Sequence, residues 1–128
     1  MPVSRREARR TALTLLYQWD LTQQPVGALF EGEIDDYSRA VAEAVVAEAS
    51  ELDRRITAAA AESGWTADRL GAVERNILRI AVHELDAGEV PPAAVIDEAV
   101  RLAKQYSTRE AGRLVNAILD NIHRERVS

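Results

Sequence analysis

Four arginines, Arg5, Arg6, Arg9 and Arg10, crowd the first ten residues against a single acid, Glu7. Guanidinium groups are planar, always charged and matched to phosphate oxygens, and they stack on nucleobases, so a cluster of them points to nucleic acid. At about 100° per helical residue the four side chains fall within one sector of a first helix and form a basic face directed outward. Farther along that sector come Leu13 and Tyr17, so the basic zone runs into an apolar, aromatic one suited to a second partner. If all four arginines met phosphates on a single strand, the log–log salt slope of binding would be roughly −3.

The rest of the chain offers no comparable chemistry. There is no cysteine, hence no disulfide framework and no thiolate nucleophile or metal ligand. A glycine-rich phosphate loop and paired histidines on one helix face are also missing. His83 stands near Glu84 and Asp86, but His83 and Glu84, one residue apart, do not share a helix face, and no nucleophile, base and orienting group are nominated together. The sequence therefore nominates no catalytic residue, no metal site and no cofactor. Trp19 and Trp65 read as core anchors.

The formal net charge is −5 over 128 residues. Phosphate binding needs local positive potential, and here it is confined to the amino end while the remainder is acidic. The length fits one domain with a core of its own. No apolar run reaches the length of a membrane span and no secretion signal follows the arginines, so a cytoplasmic protein is expected.

Helix signals recur at every boundary, and no segment alternates as a strand would. Ser4 and Glu7 form a capping box for a helix from Arg5 to about Thr22. Pro25 and Gly27 mark a loop, and Asp35 and Asp36 suit the start of the next helix. Ser50 with Asp53 reads as a fresh cap that divides the following stretch, and Gly64 ends the second piece. A short turn at Thr66 to Leu70 leads to a helix striped by Val73, Ile77, Ile80 and Ala81, which stops at Gly88. Pro91 and Pro92 begin another, with Val95, Ala99, Leu102 and Ala103 on its apolar face. Ser107 with Glu110 reads as the cap of a last helix carrying Leu114, Val115, Ile118, Leu119 and Ile122. The expectation is an all-α fold of about seven short helices packed as a bundle.

Three segments, Ser4 to Trp19, Leu70 to Leu85 and Val90 to Ile122, together resemble the NusB family of transcription antitermination factors. The resemblance implies an all-α fold of two small helical subdomains, with residues 1–128 forming a single NusB-like RNA-binding domain. It implies binding of boxA-type single-stranded RNA together with ribosomal protein NusE, within an RNA polymerase elongation complex during ribosomal RNA transcription. By position, the family's arginine-rich motif carries over onto Arg5, Arg6, Arg9 and Arg10. Lys104, Arg113 and Asn116 fall where the family completes its RNA surface, and Leu13, Tyr17 and Glu74 fall on the protein-partner side. Leu114 stands where several members have phenylalanine, Ala117 where glycine is usual, and Glu110 where many have aspartate. The domain also occurs fused to RNA cytosine methyltransferases, for whose catalytic part this sequence has no room. The alternative reading is a purely protein-binding helical adaptor or homodimer whose arginines meet acidic patches; a DNA-binding regulator is a weaker third.

Overall fold

The structure, a computed structural model, describes residues 3–127, the side chain of Ala67 excepted. Positions 1, 2 and 128 of the expected 1–128 domain lie outside the described residues. The chain folds into five α-helices: α1 (Arg5–Thr22), α2 (Asp36–Glu62), α3 (Ala72–Ala87), α4 (Pro92–Tyr106) and α5 (Arg109–Val127). No strand occurs among the described residues.

The expected count of about seven helices is wrong, and the reason is local. Nothing between Asp36 and Glu62 is glycine or proline, and a mid-helix serine costs only about 0.5 kcal/mol relative to alanine. The stripe of Val41, Ala42, Val45, Leu52, Ile56, Ala59 and Ala60 therefore continues through Ser50 without a break. Asp53 does not cap a new helix; its carboxylate accepts from Arg79 of α3. The segment from Thr66 to Leu70 contributes only a 3₁₀ turn at Ala67–Arg69.

Boundaries marked by capping residues agree better. Ser4 accepts a hydrogen bond from the Glu7 amide at 3.1 Å, and Asp35 accepts from the Ser38 amide at 2.9 Å. At the α4–α5 junction the expected cap is displaced by one residue. Thr108, not Ser107, accepts from the Ala111 amide at 3.0 Å, because the Ser107 hydroxyl donates instead to Glu74 at 2.8 Å.

Helix α3 is the axis of the assembly and touches each of the other four helices. The two expected subdomains share one continuous core, which runs from Ala12 of α1 to Ile122 of α5. Within that core α3 carries polar groups. Arg79 is 4% exposed and Asn76 fully buried, so both need partners. Arg79 donates to both Asp53 oxygens at 2.7 Å, to Asn76 at 2.8 Å and to Asp20 of α1 at 3.3 Å. Arg75 adds a 2.9 Å bond to the same Asp20 oxygen. The Trp19 ring lies beneath the Arg79 guanidinium, 5.6 Å from its centroid.

Burial of Asp20 works against its charged form, but the Arg75 hydrogen bond and the charges of Arg79 and Arg75 outweigh it and hold the carboxyl below its usual pKa. A depressed carboxyl contributes stability above its unfolded-state pKa and loses it as pH falls through the folded value. The urea midpoint should thus hold steady from pH 7 to 5 and drop below about pH 4, with a smaller drop in Asp20→Asn. At neutral pH Arg79→Ala, which empties a buried site, leaves the Asn76 oxygen without its donor and breaks the pair with Asp53, should cost about 2–4 kcal/mol in urea unfolding.

Candidate nucleic-acid interface

The four arginines of α1 do not form one outward face. At about 100° per residue Arg5 and Arg9 flank Leu16 within the core stripe, while Arg6 and Arg10 fall outside it. Arg9 is 11% exposed and its Nε donates to both oxygens of Glu84, at 2.9 and 3.0 Å; Glu84 is 7% exposed. Arg5 donates to the Tyr37 hydroxyl at 2.8 Å, lies 5.2 Å from that ring's centroid and faces Glu89 at 3.5 Å. Burial, reinforced by the Glu84 charge, raises the Tyr37 phenol above its ordinary pKa. Arg6 is largely exposed, with one carboxylate, Glu98, 3.6 Å away. Arg10 is exposed and has no ion-pair partner among the described residues.

The second set of predicted cations lies across the α4–α5 junction. Lys104 is exposed at the end of α4, and its alkyl stem lies against Gly112 of α5, where an added Cβ would stand 2.8 Å from the lysine Cγ. Glycine at 112 thus lets the stem settle on α5 while its ammonium reaches solvent. Arg113 and Asn116 project from the exposed side of α5. Leu114 is 5% exposed and belongs to the core. Beside it, Trp65, Arg69, Glu74, Thr108 and Glu110 line a small cavity of about 150 Å³. The Arg69 guanidinium sits over the Trp65 ring there.

The predicted protein-partner residues border the same edge. Leu13 is buried, whereas Tyr17 is 39% exposed. Together with Arg10, Thr14, Val73 and Tyr106 they line a groove of about 210 Å³. Glu74, in the first turn of α3, is held by the Ser107 hydroxyl one residue along from Val73. Tyr106, 45% exposed, was missed by sequence reasoning; an aromatic as the last residue of a helix, next to a polar junction, is its only signal. His83, Glu84 and Asp86 take three separate partners, respectively Glu48, Arg9 and the pair Arg55 and Arg126. Among the described residues no group of acids and histidines is placed to hold a metal ion, and no helix is long and apolar enough to cross a membrane.

A helical bundle that presents exposed cations beside an aromatic groove belongs to the class of all-α binding domains. The family is fixed by comparison. Residues 6–124 match the model of the NusB family. The chain is 39% identical to the transcription antitermination protein NusB of Solibacter usitatus, with 95% of this chain and 90% of that protein covered. It is likewise 39% identical to the protein of that name from Rubrobacter xylanophilus, covering 91% and 88%. A crystal structure of antitermination factors NusB and NusE in complex with dsRNA superposes with a TM-score of 0.79 at 34% identity, over 94% of this chain and 96% of that one. T. maritima NusB superposes with a TM-score of 0.82 at 30% identity, over 98% and 94%. This chain belongs to the NusB family.

The geometry separates the arginines into structural and available groups. Arg9→Ala should cost about 3–5 kcal/mol in urea unfolding because it leaves Glu84 buried and unpaired, and the double replacement Arg9→Met/Glu84→Leu should recover most of that loss. Arg10→Ala, by contrast, should shift stability by no more than about 0.5 kcal/mol.

Proposed function

We propose that this chain is an RNA-binding transcription antitermination factor, not an enzyme, and that residues 1–128 act as one RNA-binding domain in the cytoplasm. In this reading it holds boxA-type single-stranded RNA together with ribosomal protein NusE, as part of an RNA polymerase elongation complex during ribosomal RNA transcription. The observation that carries it is the adjacency of free cations and an aromatic groove on one edge, in a chain of this family. The related complex of NusB, NusE and dsRNA supports both partners.

Arg6 and Arg10 on α1, with Lys104 and Arg113 near the α4–α5 junction, meet phosphates, and Asn116 supplies an amide for a base edge. Arg5 joins them once its contact with exposed Glu89 opens, since such pairs are weak. Arg9 serves RNA indirectly, by holding α1 on α3. Leu13, Tyr17 and Glu74 receive NusE: the tyrosine offers an amphipathic ring, the leucine lies under it in the groove, and Glu74 offers a carboxylate to a basic partner.

The test is fluorescence anisotropy on boxA-type single-stranded RNA, a scrambled strand and a duplex of matched length, with and without NusE. Arg6→Ala/Arg10→Ala should abolish the preference for boxA and weaken all binding, while Tyr17→Ala should leave RNA binding by the lone chain intact and remove the enhancement by NusE. Equal weak binding to every RNA, unaffected by NusE and by either variant, would replace this reading with a protein-binding adaptor, and light scattering would then identify a homodimer.

A further inference from the structure

The predicted RNA residues form two groups, one on α1 and one at the α4–α5 junction, and a third cation stands between them. Arg101 projects from α4 with its side chain 40% exposed. Its Nη2 donates to Glu98 Oε1 at 2.5 Å and its Nε to Glu98 Oε2 at 3.1 Å. The same Oε1 stands 3.6 Å from Arg6 Nε. The Arg6 and Arg101 nitrogens are therefore at most 6.1 Å apart, the sum of those two contacts. Glu98, only 9% exposed, sits beneath both guanidiniums as a shared counter-charge.

Arg101 also continues toward the junction. Lys104 follows it by three residues on α4, a spacing that places the two side chains side by side on one helix face. Lys104 in turn leans across Gly112 onto α5, which bears Arg113. The order of cations along this edge is thus Arg10 and Arg6 on α1, Arg101 and Lys104 on α4, and Arg113 on α5.

We propose that Arg101 is a phosphate-binding residue that joins the arginines of α1 to the α4–α5 junction in one track for the RNA backbone, with Glu98 as its positioning residue. This rests on the RNA-binding reading above. The two-point bond to Glu98 fixes the guanidinium plane at the track while leaving Nη1 with one long contact, 3.4 Å, to Gln105. That nitrogen and the exposed edge of the group are available to a phosphate oxygen. When Arg6 swings to a phosphate, Arg101 remains on Glu98, so the buried carboxylate keeps a partner throughout.

The experiment measures affinity of the full chain for boxA-type single-stranded RNA from low to moderate salt, for wild type, Arg101→Ala, Arg101→Lys and Arg10→Ala, with Arg124→Ala as a surface-arginine control. Arg101→Ala should reduce the steepness of the log–log salt slope by about 0.7, the share of one phosphate on a single strand. It should weaken matched and scrambled RNA alike. Arg101→Lys should restore the slope and Arg124→Ala should not change it. A slope unchanged in Arg101→Ala while Arg10→Ala lowers it would overturn this inference alone. A slope lowered by Arg101→Ala and not restored by lysine would also overturn it, as a folding effect. If Arg10→Ala has no effect either, the RNA-binding reading itself fails. Circular dichroism melting of each variant keeps loss of fold apart from loss of contact.

Discussion

The arrangement rests on the need to neutralise charge buried on α3. Glu84 near the carboxyl end of that helix and Arg79 at its middle are taken out of water, with Arg75 half-buried one turn before Arg79, and α1 answers each with the opposite sign. Arg9 meets Glu84, while Asp20 meets Arg75 and Arg79. Eleven residues separate Arg9 from Asp20, about 16 Å along a helix, so the two clamps lie far apart. They admit only the antiparallel placement, because a reversed α1 would set Arg9 against two arginines and Asp20 against a glutamate. Apolar stripes slide and rotate at modest cost, whereas a buried charge facing its own sign costs several kcal/mol. The hydrophobic core supplies the driving force, and the charges select one docking of α1 within it.

That selection determines what the surface displays. With Arg9 turned to Glu84 and Arg5 laid on Tyr37, the rotation of α1 is set, and Arg6, Arg10 and Tyr17 are left on the outward side. Their spacing of four and seven residues keeps them on one face. The same docking sets Val73 and Glu74 beside Tyr17, since α3 begins where α1 ends. Ser107 ties Glu74 to the α4–α5 junction and brings the second group of cations to the same edge. The cationic edge and the aromatic groove are thus products of one helix–helix register.

How much of this could be read from residues alone depended on the range of the interaction. Caps are local, and Ser4, Asp35 and Gly88 marked their helix ends correctly because each acts within one turn. Ser50 and Asp53 misled for the complementary reason. The same residue types that cap a helix are tolerated inside one, and the partner that claims Asp53 lies 26 residues away. Ser107 failed similarly, with its hydroxyl drawn to a carboxylate 33 residues upstream. The arginine cluster was legible as a cluster but not as a division of labour. Angular position on α1 sets Arg5 and Arg9 within the core stripe on either side of Leu16, but the partners that hold them there, Tyr37 of α2 and Glu84 of α3, lie on other helices and no local pattern announces them. Arg101 was invisible as part of the edge because Glu98, three residues before it, makes it look like an ordinary intrahelical pair.

An acidic chain that binds a polyanion has to keep its acids away from the phosphates, and the structure does so by engaging them. Glu84, Asp20, Asp53 and Asp86 all face guanidiniums, so much of the negative charge is compensated within the fold. Many of the arginines are engaged in the same pairs. Few cations remain for phosphate, and the long-range field of the molecule is weak or negative away from its one edge. Under the RNA-binding reading this ties affinity to short-range fit at that edge and not to bulk attraction. A second protein that docks in the adjacent groove and brings its own positive charge would raise affinity without any change in this chain, because it extends the track that the edge begins.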